Sequence, residues 1–392
     1  RVLNLYEAFD QDAVILSKFL GITLAGRGKD DNRKPMAGIP YHALKTYLPK
    51  LIAEGIKVAI AEQLEEATPG KIVERQITKV ITPGTVMDEN SLDNSKNNFI
   101  ASTLNDKGVY NFAYADVTTG ELNLVCNLNE KTLKNEINKI WAKEILVADE
   151  DMKSKLGFLN THFEILEKKD LDYSKNLAKL KEHFKVQNLK SFGVDEENKA
   201  CVSVLGMLLN YIEKTQKTSL KHFLGINLVN VSEYMTLDPE TVRNLELIYA
   251  ANGSGHNTLY SKLNDCKTSM GKRLLQNWIL HPLINPDLIQ ERLKLVENFY
   301  NYPRISAEVS DLLNQISDIQ RICGRIGVNV AHPKDLLGLK YSLTNTLQII
   351  STLRQGAGSI NHALINFLDK NLANLENIQK VIDIIEKSIF EE

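Results

Sequence analysis

The chain has 392 residues, 43% hydrophobic and 24% charged, with 47 Lys and Arg set against 49 Asp and Glu for a net charge of −2. That length exceeds one ordinary hydrophobic core, so about two or three domains are expected. The composition excludes a disordered chain and a chain-wide polybasic coat, and no apolar run approaches the roughly 18 residues of a membrane-spanning helix.

In chain order, Asp10 to Leu20 reads as a helix closed by Gly21, with apolar Ala13, Val14, Ile15, Phe19 and Leu20. A strand-like Ile22–Ala25 runs into a polar loop, Gly26–Pro35, and Pro40 opens a helix ending near Gly55. Lys57–Gln63 and Val73–Ile81 read as strands, the second closed by the turn Thr82-Pro83-Gly84-Thr85. From residue 96 the pattern changes to three strands, Phe99–Leu104, Val109–Val117 and Glu121–Leu128, joined by tight turns. A helix (Glu130–Trp141), a strand (Glu144–Ala148), a further helix and a strand (Phe163–Glu167) follow. An antiparallel meander running into alternating helices and strands predicts an α/β layer of ribonuclease-H-like type. Beyond about residue 197 the one strand signal is Ile226–Val231. Amphipathic segments take over at Pro239–Ala251, Ser269–Leu280, Pro286–Tyr300, Pro333–Leu353 and Asn361–Ile389, predicting an all-helical domain.

Chemistry-bearing motifs are sparse. Neither Gly70-Lys71, followed by Ile72, nor Gly271-Lys272, followed by Arg273, gives the hydroxyl of a phosphate-binding loop. No two histidines have i, i+4 spacing, and no metal or nucleophile signature stands out. Cys126, Cys201, Cys266 and Cys323 share no CxxC spacing and read as separate reduced thiols, mostly buried, of a cytoplasmic protein. Asp116, with Glu144 and Asp149 as partners, fits the acids with which ribonuclease-H-like nucleases hold metal ions. The Thr118-Thr119-Gly120 turn beside Asp116 makes backbone capping the stronger reading. The loop Gly26–Lys34 carries Arg27, Lys29, Arg33 and Lys34, and such a loop can follow a phosphate backbone; a solvated surface loop is the plainer alternative.

Several strings resemble the MutS family. Leu5-Tyr6-Glu7-Ala8-Phe9, Lys34-Pro35-Met36-Ala37-Gly38-Ile39-Pro40-Tyr41-His42-Ala43, Val58-Ala59-Ile60-Ala61-Glu62-Gln63 and Thr82-Pro83-Gly84-Thr85 look like its mismatch-binding domain. Asp116-Val117-Thr118-Thr119-Gly120 is similar to its connector, and Arg243-Asn244-Leu245-Glu246 with Leu263 to Leu283 looks like the start of its helical core. The resemblance implies three domains: 1–84, a mixed α/β mismatch-binding domain; 85–230, a ribonuclease-H-like α/β connector; and 231–392, an incomplete helical core (lever) domain. It also implies that a Phe-x-Glu motif enters the minor groove at a mispair, kinking a duplex that is cheap to unstack there. Glu7 matches the Glu; Leu5 stands at the Phe, and Leu3-Asn4 stand where the family has Gly-Asp. Leucine can wedge between bases but has no π-face to stack. Arg27 matches a basic residue near the DNA backbone, and Met36 a position approaching the groove.

The expected function is therefore recognition of DNA mismatches or small loops, with DNA contacts from Leu5, Glu7, Arg27 and Met36. The chain opens at Arg1 and stops inside an amphipathic run, so a longer protein is expected. By the same resemblance the intact protein is a cytoplasmic, nucleoid-associated bacterial homodimer that recruits MutL and hydrolyses ATP with Mg. This chain is expected to lack that ATPase and to hold no cofactor, metal or catalytic residue. Two rivals stay open: a MutS relative that binds branched DNA or acts as a scaffold, and a ribonuclease-H-like nuclease.

Overall fold

A computed structural model of the chain describes residues 5–28, 33–65, 73–88, 92–250, 253–355, 362–371 and 375–389. Two compact units result. The first runs to Asp93 and takes in Asn98–Leu133 and Ile140–Leu228; the second holds Asn94–Asn97, Lys134–Lys139 and the chain from Val229 onward.

The first unit begins with strand β1 (Leu5–Phe9), followed at once by helix α1 (Asp10–Leu20), which Gly21 closes at φ 65. The helix has the expected bounds, but the strand before it was not expected. The strand expected over Ile22–Ala25 lies instead at β2 (Ala25–Arg27), β3 (Lys34–Pro40) begins within the expected loop Gly26–Pro35, and a short 3-10 turn at Tyr41–Ala43 delays the next helix, α2 (Leu44–Ala53). Three strands form an antiparallel sheet in the order β1-β3-β2. Prolines usually disqualify a central strand because they remove a ladder donor. Here Pro35 pairs with Gly26 beyond the end of the β1 ladder, and Pro40 pairs with Leu5 beyond the end of the β2 ladder. Each proline therefore has one strand beside it rather than two. Strands β4 (Val58–Gln63) and β5 (Arg75–Ile81) form a separate antiparallel pair packed on α2 through Leu48, Ile52, Ile81 and Val86.

The rest of this unit is a six-stranded sheet. Its elements are β6 (Phe99–Asp106), β7 (Val109–Asp116), β8 (Glu121–Leu128), the start of α3 (Glu130–Lys139, of which Lys134–Lys139 belongs to the second unit), β9 (Glu144–Val147), α4 (Glu150–Lys155), β10 (His162–Ile165), α5 (Tyr173–Phe184), α6 (Lys199–Gln216) and β11 (Asn227–Leu228). The order is β10-β9-β6-β7-β8-β11, with β6, β7 and β8 antiparallel and β9 running parallel to β6. Helix α6 packs on β6 and β7 and is buried on nearly every side, as its Val202 to Leu209 run requires. Neither α5 nor α6 was expected from the sequence. Cys126 and Cys201, on β8 and α6, are joined by a disulfide; a separation of 75 residues gives no sequence signal for it, and the expectation of four separate thiols is corrected for this pair.

The second unit is helical, as expected: α7 (Pro239–Asn244), α8 (Leu259–Leu263), α9 (Ser269–Leu280), α10 (Pro286–Asn301), α11 (Pro303–Leu313), α12 (Ile319–Gly327), α13 (Pro333–Gln355), α14 (His362–Asn371) and α15 (Leu375–Ser388). The helix expected over Pro239–Ala251 ends early, α8, α11 and α12 are additional, and the last expected helix is described as α14 and α15. Side-chain oxygens of Asp238, Thr258, Thr268, Asn285 and Asp318 accept first-turn amides, satisfying donors that helix geometry leaves unpaired. Ion pairs tie the unit together: Arg273 on α9 grips Asp318 with bonds of 2.6 and 2.9 Å, and Arg325 on α12 reaches Asp335 on α13 at 2.7 Å. Among the described residues, no helix is long and apolar enough to cross a membrane.

Candidate functional site

Residues paired across an antiparallel ladder share a face, and neighbours along a strand alternate. The register pairs Leu5 with Pro40, Glu7 with Gly38 and Phe9 with Met36 on one side of β3, and Met36 with Ala25 and Lys34 with Arg27 on the other. Leu5, Glu7, Arg27 and Met36 therefore lie on one face, together with Phe9 and Lys34. The opposite face carries Ala37 and Ile39, buried on the side where α1 packs against β3. One sheet thus spends its small and branched residues on the core and presents a mixed apolar and charged surface on the other side.

On that open face the Arg27 guanidinium donates to the Glu7 carboxylate at 2.8 Å and lies over the Phe9 ring, 5.8 Å from its centre. The Glu7 side chain keeps 10% of its surface and that of Arg27 55%. Leu5 is 38% exposed. Its Cδ1 would stand 3.8 Å from a Cβ added at Gly38, an ordinary van der Waals distance, so Leu5 lies against the glycine. Met36 is half-buried, and Lys34 is exposed 3.8 Å from Asp10. A Cβ at Gly26 would meet the Arg33 side chain, 2.1 Å away, and would push that flexible side chain aside. Phe9 is the site residue the sequence reading missed. Once β1 is a strand, period-two alternation from Leu5 and Glu7 finds it. Lys29 and Leu3-Asn4 lie outside the described residues, as does Gly70-Lys71.

The acids of the six-stranded sheet are structural. Asp116 is fully buried and accepts from the amides of Asn98 (3.0 Å) and Thr118 (2.9 Å) and from the Thr118 hydroxyl (2.6 Å). This is the capping arrangement favoured by the sequence. Gly120, at φ 76, closes the turn where a Cβ would stand 2.4 Å from the His222 carbonyl oxygen. Glu144 accepts from the hydroxyls of Thr82 and Tyr211, the latter at 2.6 Å, with the Lys57 ammonium at 3.5 Å. Burial and the Glu144 charge push the Tyr211 phenol upward, holding it as a neutral donor. Gly84 allows that approach, since a Cβ there would stand 2.7 Å from the Ile100 Cβ. Asp149 caps α4 through the Met152 amide at 2.9 Å. No cluster of three His, Cys, Asp or Glu that could hold a metal ion occurs among the described residues. In the second unit, the Gly271 amide is spent on Thr268 at 3.0 Å, as in any capped helix.

A small α/β module with a cation-bearing sheet face, followed in the chain by a larger α/β layer and a helical unit, defines the class: a multidomain protein of mixed α/β and all-helical parts. The chain belongs to the MutS family. Residues 1–90 match MutS domain I, 98–224 match MutS domain II and 240–392 match MutS domain III. It is 36% identical over 396 residues to a DNA mismatch repair protein MutS of Clostridioides difficile, covering 100% of this chain and 41% of that protein. Similar proteins of the same description occur in Caldanaerobacter subterraneus (36% identity, 99% of this chain, 45% of the relative) and Methanococcoides burtonii (37%, 98% and 44%). The chain thus spans less than half the length of these relatives.

Proposed function

We propose that the open face of the β1-β3-β2 sheet recognises mispaired or unpaired bases in double-stranded DNA, entering the minor groove and kinking the duplex. The observation that carries this reading is the gathering of Leu5, Glu7, Arg27 and Met36 on one face of the sheet, with Leu5 and Arg27 exposed on it. Leu5 is the apolar wedge, Glu7 the acceptor for an unpaired base donor, and Arg27 and Lys34 the cations facing phosphates. The names of the relatives support the same reading. In the connector, the three-strand meander extended by parallel β9 and β10 supports a ribonuclease-H-like layer, and the second unit supports a helical core or lever.

The wider assignments follow the family: a cytoplasmic homodimer that couples mismatch binding to an ATPase outside these three domains and recruits MutL. This chain is then neither an enzyme nor a nucleotide binder, and titration calorimetry with ATP and Mg, showing no heat of binding, is the check. These three domains by themselves are expected to bind DNA weakly, because a second linked contact multiplies affinity.

The test is affinity of the full-length protein carrying this chain for three probes: a duplex with one mispair, the same duplex fully paired, and a four-way junction. Preference for the mispair is the expected result. Preference for the junction would overturn it in favour of branched-DNA binding, a reading that the aliphatic Leu5 specifically favours.

A further inference from the structure

We infer that Glu7 and Arg27 form a counter-ion exchange in which Arg27 neutralises Glu7 in the DNA-free protein and leaves it for a phosphate when DNA binds. Arg27 is thereby a specificity-determining residue, and this rests on the reading of the sheet face given above.

The geometry sets up two states. Arg27 belongs to β2, at one edge of the sheet, and Glu7 to β1, at the other edge. Arg27 is level with Lys34 of β3 and Glu7 with Gly38, so their bond runs diagonally across the row formed by Phe9, Met36 and Ala25. The side chain reaching across is the exposed one, at 55%, while the carboxylate it reaches is nearly enclosed, at 10%. An exposed arginine on an edge strand can swing to a phosphate by rotating its own side chain. The enclosed carboxylate cannot follow it. A partly shielded carboxylate that loses its partner needs water or another donor in its place.

A duplex offers those two partners unequally. Phosphates are present on every duplex, so Arg27 is drawn off by any DNA, releasing counterions as it goes. Donors for Glu7 are not. In a paired base the N–H groups of the pairing edge are occupied by the opposite strand, whereas a mispaired or unpaired base has one to give. Breaking the ion pair therefore costs the same on every sequence and is offset only at a lesion. Discrimination arises from what the protein gives up as well as from what it gains.

The test is a double-mutant cycle on DNA affinity in the full-length protein, with Arg27→Met, Glu7→Gln and both together, on mispaired and fully paired duplexes. If the pair breaks on binding, Arg27→Met loses only part of its phosphate contact in the natural background, because no pair then has to be broken. In the Glu7→Gln background it loses the whole contact. The loss is expected to be about two- to fivefold larger there, matching the modest strength of a partly exposed pair. The slope of log affinity against log salt should become shallower by about 1 with Arg27→Met and be restored by Arg27→Lys. A loss that is larger when Glu7 is present, or an unchanged slope, overturns the exchange and leaves Arg27 as a fixed support for Glu7. Leu5→Glu and Met36→Glu separate this failure from that of the functional reading. If neither weakens binding to either duplex, the sheet face is not the DNA contact and both fall. If they weaken it while the cycle has the opposite sign, only the exchange falls.

Discussion

Asp116 and Glu144 stand on the strands that flank β6, yet they point to opposite faces of the sheet. Asp116 pairs with Phe99 and Glu144 with Ile100, and adjacent residues of a strand face opposite ways. Two carboxylates separated by a sheet cannot share a metal ion, however close they are in the topology. Their partners confirm separate duties, Asp116 ordering the turn after β7 and Glu144 receiving Thr82 and Tyr211.

Asp116→Ala is expected to destabilise the first unit by about 2–4 kcal/mol, because buried amides of Asn98 and Thr118 lose their acceptor. Asp116→Asn, which keeps one acceptor oxygen, should cost about half as much. Denaturant unfolding measures both. Incubation of the chain with nicked or flapped DNA and manganese should give no cleavage, and metal-dependent cleavage abolished by Asp116→Asn would contradict the structural role.

Gly120→Ala should cost about 2–4 kcal/mol by adding left-handed strain to a clash with backbone rather than a movable side chain. Gly108 has φ 89 but nothing within 4 Å of a Cβ, so Gly108→Ala should cost only about 1 kcal/mol. A melting-temperature difference between the two variants checks it; equal losses would show that the His222 carbonyl yields.

Acid should loosen the helical unit through Asp318 and Asp335. Burial alone would raise both carboxyls, but hydrogen bonds from Arg273 and Arg325 outweigh it and hold them below the usual carboxylate range. Their contribution is therefore fully present above the unfolded pKa, about 4, and is lost as pH falls through the depressed folded values. Unfolding midpoints measured from pH 7 down to pH 3 should fall, and Asp318→Asn with Asp335→Asn should flatten that fall. An unchanged slope in the double variant would refute the assignment.

Leu5→Phe distinguishes a wedge from a core residue. Leu5 is 38% exposed, so the substitution should leave the melting temperature nearly unchanged. A stacked base–aromatic contact is worth roughly 1–3 kcal/mol, so mispair affinity in the full-length protein should rise about five- to a hundredfold, and that for paired duplex much less. A lowered melting temperature with an unchanged affinity ratio would remove Leu5 from the site.

Local pattern determined what a local signal can reach. Amphipathic periodicity gave α1, α9 and α10 close to their observed bounds, and tight turns with alternating apolar residues gave the β6-β7-β8 meander. The resemblance of short strings supplied the family and four candidate site residues. Tertiary structure decided the rest. β1 and β3 are held by hydrogen bonds between residues some thirty positions apart, and Pro35, Gly38 and Pro40 deny β3 any intrinsic preference for a strand, so only pairing creates it. Helix α6 was missed although it is buried along most of its length, because its enclosure by the sheet and α5 comes from tertiary packing. The bond between Glu7 and Arg27 depends on that same register, since it spans two ladders, and the fates of Asp116 and Glu144 depend on which side of a pleat each one falls. Residue type and spacing name the groups; only strand pairing decides which face each group meets.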